Sequence, residues 1–158
     1  MNIWISEEWK DVYNGTCRTG LRLKSDKDVD SEVKRACKEF CKWLRTKYVF
    51  PIRVPIYLKS SCRIQTMDKD VAYGTFFEPD NKFVEPYIKI ATGDYISLYH
   101  KYGKDSAIAT ILHTIAHELT HYYQWINSSK LTDLGEERQA NKIATIILDM
   151  YSETREHP

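Results

Sequence analysis

Hydrophobic side chains between residues 30 and 48 recur at steps of three and four positions. The series comprises Val33, Cys37, Phe40, Cys41, Leu44 and Tyr48. This spacing places them on one face of an α-helix. Asp30 or Ser31 is suited to cap its start, and Pro51 is expected to close it. The pattern therefore predicts an amphipathic helix that packs against a core.

Three segments after this helix have the composition of β-strands: residues 52–58, 71–77 and 83–91. Pro55 predicts that the first strand lies at an edge or is interrupted, and Gly74 marks a possible bulge in the second. The turn-forming residues 78–81 predict that the second and third strands form an antiparallel hairpin. A short helical piece is expected at 95–101. Residues 1–29 are predicted to be irregular, with one strand near 21–23.

Two longer helices are predicted to follow. The first begins near Asp105 or Ser106 and runs to about Asn127, and the second runs from Asp133 to about Tyr151. The apolar positions of the first are Ile108, Ile111, Leu112, Ile115, Leu119 and Ile126. The whole pattern predicts a single α+β domain over residues 1–158, with a core at 30–151 and a flexible tail at 152–158.

Composition excludes several classes of function. The 158 residues carry a formal net charge of +1, so no large electrostatic surface for nucleic acid or membrane is expected. Neither a signal peptide nor a membrane span is recognisable, which predicts a cytoplasmic protein. The eleven Tyr and four Trp are expected mainly to fill the core. Cys37 and Cys41 are expected to be buried thiols and not metal ligands.

The string His117-Glu118-Leu119-Thr120-His121 carries the candidate chemistry. On a helix, residues four apart lie on the same face, so His117 and His121 can bind one metal ion. Their face is roughly opposite the apolar face of this helix, which favours ligands over core histidines. Glu118 projects beside them, where a carboxylate can take a proton from a metal-bound water.

The third ligand is less clearly marked. A metzincin would have Gly and His where this chain has Gln124 and Asn127, which excludes that class. The one later histidine, His157, lies in the tail, which weakens a resemblance to SprT-type DNA-repair proteases. A glutamate on the next helix remains, and the helical wheel alone allows either Glu136 or Glu137.

The histidine pair followed by Glu137, Ala140 and Asn141 resembles the two-part signature of the gluzincin zinc peptidases. The resemblance favours Glu137 as the ligand, because a small residue and Asp or Asn follow the ligand glutamate at +3 and +4. Glu136 is then expected to form a capping box with Asp133 at the helix N-terminus. Asn141 is expected to accept a hydrogen bond from a ligand histidine.

The short separation of the two motifs is similar to that in the minigluzincins, which are minimal single-domain peptidases. This resemblance implies a small antiparallel three-stranded sheet with a backing helix above a cleft, and the motif and glutamate helices below it. It implies Zn²⁺ held by His117, His121 and Glu137, with Glu118 as the general base. A peptide or protein substrate would pair with an edge strand, best assigned to residues 83–91.

Several alternatives stay open at this point. The ImmA/IrrE-like proteases, which act on repressors, share the same signature. A non-catalytic or latent zinc-stabilised domain, or an α+β domain whose histidines bind nothing, would also fit the sequence. His113 is expected to support the site without binding the metal. The oligomeric state and the group that stabilises an oxyanion are not indicated, although His100, His113 and several tyrosines are available.

Overall fold

Four α-helices, a mixed four-stranded sheet and a small hairpin make up the computed structural model, which describes residues 2–11, 13, 18–66, 68 and 70–158. The strands are β1 (Leu21–Ser25), β2 (Val54–Lys59), β3 (Ile64–Gln65), β4 (Val71–Ala72), β5 (Gly74–Phe77) and β6 (Tyr87–Ala91). The helices are α1 (Ser31–Lys47), α2 (Tyr95–Tyr102), α3 (Lys104–Ile126) and α4 (Asp133–Ser152).

The sheet has the strand order β1-β2-β6-β5. Strands β1, β2 and β6 are parallel, and only β5 runs antiparallel to β6. The α+β class and the β5–β6 hairpin are therefore confirmed, but the three-stranded antiparallel sheet is not observed. The physical reason is the β1–α1–β2 unit, because a helix that crosses between two strands returns the chain in the same direction.

Two predictions about strand position are wrong. Residues 83–91 were expected to form an edge strand, but β6 lies between β2 and β5, which leaves β1 and β5 as the edges. Pro55 was expected at an edge or an interruption, yet β2 is an inner strand. The missing N–H of Pro55 is tolerated because the pairing of β2 with β6 begins one residue later, at Ile56.

Helix α3 packs its apolar face into the core as predicted, and the six aliphatic side chains that define this face are all buried. Tyr122, one residue after the motif, adds two hydrogen bonds to this packing. Its hydroxyl donates to the Ile52 carbonyl at 2.6 Å and accepts from the Ile52 N–H at 3.0 Å. This pair of bonds fixes α3 against the segment that leads into β2.

The N-terminal segment contacts the motif helix directly. Two short 3₁₀ turns form at Ile3–Ile5 and Glu8–Asp11. The buried Trp4 indole donates to the Thr120 hydroxyl at 2.9 Å, and the Trp9 N–H donates to the Asn127 side chain at 3.0 Å. The expected irregular region is thus partly ordered into these turns and β1, while residues 14–17 lie outside the described part.

Other expectations concern the helix ends, the thiols and the surface. Asp30 caps α1, as predicted. Cys37 and Cys41 are buried and free, and burial raises the pKa of Cys41 to about 12, which makes it a weak metal ligand.

Among the described residues, no helix is long and apolar enough to cross a membrane.

Strand β5 lies so close to α3 that only glycine fits at position 74. A Cβ on Gly74 would stand 2.8 Å from Thr114 Cγ2 and 3.2 Å from Glu118 Cγ. We expect Gly74→Ala to lower the free energy of unfolding by roughly 1–3 kcal/mol, as measured by chemical denaturation. Adding Thr114→Ala should recover part of the loss, because it removes the nearest methyl group but leaves Ile90 Cδ1 at 3.1 Å. An unchanged stability in Gly74→Ala would contradict the close contact.

Candidate metal centre

The predicted metal ligands meet between α3 and α4. His117 and His121 lie one helical turn apart, and their Nε2 atoms are 3.2 Å from each other. The Glu137 carboxylate reaches both rings, with distances of 2.9 Å to His121 Nε2 and 3.3 Å to His117 Nε2. Together these three side chains form a group that could hold one metal ion.

The start of α4 decides which glutamate faces the histidines. Thr132 caps the helix by accepting a hydrogen bond from the Gly135 N–H at 3.1 Å. The predicted cap at Asp133 is therefore wrong by one residue, and Glu136 does not occupy the capping-box position. The buried Ala140 and Ala144 let α4 approach α3 closely, so that Glu137 reaches the two rings.

Both histidine rings present their Nδ1 atoms to amide oxygens. His117 Nδ1 lies 2.9 Å from Asn141 Oδ1, as the resemblance implied for Asn141. His121 Nδ1 lies 2.7 Å from Gln124 Oε1. An amide oxygen can only accept, so each Nδ1 carries the hydrogen and each Nε2 presents a lone pair.

The consequence is a convergence of lone pairs from two Nε2 atoms and a carboxylate. Without a cation this arrangement is repulsive, because no hydrogen lies between these atoms when the rings are neutral. Burial and the neighbouring His121 ring lower the pKa of His117, which favours its neutral form. A tetrahedral zinc with bonds of about 2.0–2.2 Å separates its ligand atoms by roughly 3.4 Å, so the observed spacing fits such an ion.

Gln124 belongs to the candidate site although the sequence pattern did not predict this. It is almost completely buried, and its contact with His121 orients that ring. Its side-chain nitrogen donates to the Glu136 carbonyl at 3.0 Å and to Gln139 Oε1 at 2.9 Å. These bonds fix the direction of the amide and connect α3 to the first turn of α4. The signal available in the sequence was the i+3 spacing from His121.

His113 lies one turn before His117 and stays outside the triad. Its Nε2 is 3.2 Å from the Thr145 hydroxyl, and that hydroxyl donates to the Asn141 carbonyl at 3.1 Å. His113 thus supports the part of α4 that carries Asn141, and burial lowers its pKa. This placement agrees with the expectation that it is not a ligand.

The base candidate, Glu118, is 7% exposed and lines a cleft of about 610 Å³ beside the triad. Burial raises its pKa to about 7, and the proximity of His121 opposes this effect. The backbone of Phe76 in β5 acts in the same direction as His121 and lowers the pKa of the Glu118 carboxyl slightly. Glu118 is thus held at the cleft floor as a stronger base than an exposed glutamate.

The cleft lies between β5 with the β3–β4 hairpin on one side and α3 with the start of α4 on the other. Its described lining includes the two ligand histidines but no tyrosine, lysine or arginine. His100 is on the exposed side of α2 and His113 faces Thr145, so neither lines the cleft. Of the described residues, none outside the triad is therefore placed to stabilise an oxyanion with a Tyr, His or Arg side chain.

No protein-family model, curated protein or solved structure matches this chain.

Substitution of the third ligand distinguishes the role of Glu137 from that of Glu136. We expect Glu137→Ala to weaken zinc binding by more than about 100-fold, since it removes a direct ligand and not only an orienting group. Glu136→Gln should retain the wild-type affinity, and His113→Ala should still bind one zinc per chain. Titration of each purified variant with zinc in competition with a chromogenic chelator gives the comparison. Equal losses in Glu137→Ala and Glu136→Gln would contradict the assignment.

The Gln124 amide generates a second test. Gln124→Leu keeps the side-chain volume but removes both the acceptor for His121 and the donor to α4. We expect zinc affinity to fall by about 10–100-fold, measured by the same competition. Gln139→Leu is the matched control, because it removes a partner of Gln124 but leaves His121 oriented. A Gln124→Leu protein that binds zinc as wild type does would show that the contact has no influence on the metal.

Proposed function

We propose that this protein is a zinc-dependent endopeptidase of the gluzincin type. The observation that carries the proposal is the position of Glu118, a buried carboxylate that faces an open cleft directly beside the convergent His117, His121 and Glu137 atoms. Two imidazoles and one carboxylate are a donor set typical of catalytic zinc sites, which keep one coordination position open. A purely structural site would have no use for a buried base at this place.

Zinc, when bound, would supply Lewis-acid polarisation and a water of lowered pKa. The chain's own contribution is proton transfer and positioning. Glu118 accepts a proton as the water oxygen bonds to the peptide carbonyl carbon. The same carboxyl group then gives that proton to the departing nitrogen as the C–N bond breaks, which restores Glu118. Asn141 and Gln124 keep both rings in the tautomer that this site requires.

The substrate strand is reassigned from β6 to β5. Ala91 N–H donates to the Tyr73 carbonyl at 2.7 Å, so alternation along the strand directs the Gly74 and Phe76 backbone groups away from β6. The polar backbone groups of Gly74 and Phe76 could pair with an extended peptide laid along this edge, in the manner of strand addition.

The base role of Glu118 is tested by an isosteric change. Glu118→Gln keeps the shape of the side chain but cannot accept the proton, so cleavage of a mixed peptide library should fall by at least about 100-fold. Its zinc content should equal that of the wild type, since Glu118 is not a ligand. Product detection by mass spectrometry and elemental analysis give the two readouts. Undiminished cleavage by Glu118→Gln would rule out this mechanism.

A wild-type protein that binds zinc yet cleaves no peptide in the library would contradict the peptidase proposal and favour the non-catalytic zinc-stabilised domain. Latency through the N-terminal segment or the tail has no support, since none of the described residues of either segment lines the cleft.

A further inference from the structure

The cleft beside the metal triad has an unusual charge. Seven carboxylates line it, and two of them are Glu118 and Glu137. The other five are Asp68, Asp70, Glu78, Asp133 and Glu136. They come from three separate chain segments: the β3–β4 turn, the end of β5 and the first turn of α4. The cleft is therefore acidic on more than one wall.

None of these five carboxylates forms an ion pair with another described residue, in contrast to carboxylates elsewhere on the surface. Glu85 contacts both Arg18 and Arg53, and Asp94 contacts Arg63. The whole chain has a net charge of +1, so the acidity of the cleft is a local feature. Cations gather instead on the outward face of the sheet, where Lys24 and Lys59 lie over the ring of Tyr57, and Lys89 lies over that of Tyr87.

The five carboxylates do not form a second metal site. Among the residues that the structure describes, only His117, His121 and Glu137 bring ligand atoms close enough together for one ion. A bound divalent cation would offset the charges of Glu118 and Glu137 and leave the other five uncompensated. A ligand with several positive charges spaced along its length would complement them.

Local structural roles explain only part of this cluster. Asp133 and Glu136 lie in the first turn of α4, where negative side chains stabilise the helix dipole. Asp68, Asp70 and Glu78 have no such position. Glu78 and Glu136 also line the neighbouring cavity that contains Lys82 and Ser128, so they stand where the two cavities meet. The acidic surface thus extends from the cleft into the neighbouring cavity.

We propose that the cleft selects peptides with lysine or arginine side chains near the bond to be cleaved. This inference rests on the proposed peptidase function, since it names the substrate class of the same site. The free β5 edge would hold the peptide backbone, and the carboxylates would contact cationic side chains on both walls. Such a charge pattern attracts cationic segments and repels phosphates, so a nucleic acid is not a suitable ligand for this face.

The test measures binding separately from cleavage. The zinc-loaded full chain with Glu118→Gln is titrated into a fluorescent Lys-rich peptide and into the same peptide with every lysine acetylated, which removes its charge. We expect the unmodified peptide to bind at least about tenfold more tightly at low ionic strength. The combined change Glu78→Gln and Glu136→Gln should remove most of this preference, about tenfold in affinity, without altering zinc content.

Glu153→Gln is the matched control. It removes one carboxylate at the far end of α4 and should leave the preference unchanged. An equal effect of this control, or equal binding of the two peptides, would overturn the proposal.

Wild-type cleavage of the peptide library is measured in parallel. Cleavage without charge preference would refute the substrate class and leave the peptidase standing. Selective binding without cleavage would refute the peptidase and leave the charge preference of the cleft standing. A protein that shows neither cleavage nor selective binding would refute both proposals.

Discussion

The structure depends on one electrostatic constraint, which is that two imidazole lone pairs and a carboxylate point at the same small volume. The amide oxygens of Asn141 and Gln124 accept hydrogen bonds from the two Nδ1–H groups. Moving either hydrogen to Nε2 would relieve the repulsion only by breaking one of these bonds. A cation relieves it directly. Ala140 and Ala144 allow the close approach of α3 and α4, and we expect a bound metal ion to stabilise the two helices relative to each other.

The hydrogen bonds that fix the histidine tautomers also explain how α4 is held in register with α3. Gln124 joins a ligand ring to the Glu136 carbonyl, while Thr132 fixes the start of the helix. A shift of one residue along α4 would break both contacts and replace Glu137 with a neighbour. The same polar contacts between α3 and α4 therefore orient the histidine rings and place Glu137 beside them.

The helical parts of this fold follow from periodicity, because α1, α3 and α4 each repeat a 3.6-residue pattern long enough to fix their faces. His117 and His121 were predictable for that reason, together with their spacing. The choice of Glu137 over Glu136 came from the resemblance to the gluzincin signature and not from periodicity. The sheet was harder, since β1 and β2 are short and their parallel pairing depends on contacts across α1. Gln124 was missed because its role requires the position of the Glu136 carbonyl, which no pattern within α3 encodes.

Net charge was the least informative property of the sequence. A value of +1 suggested no electrostatic preference, yet folding separates the carboxylates of the cleft from the lysines of the sheet face. The segregation arises from residues far apart in sequence, from Asp68 to Glu136. It gives the candidate site a local negative charge that the net charge of the chain does not indicate.

X-ray absorption at the zinc edge of the zinc-loaded wild-type chain tests the central claim most directly. We expect one zinc with nitrogen and oxygen ligands at about 2.0–2.2 Å, with the multiple scattering of two imidazoles and no sulfur. Sulfur neighbours at about 2.3 Å would place the metal on cysteines and exclude the His117, His121 and Glu137 site. Failure to bind stoichiometric zinc would contradict it equally.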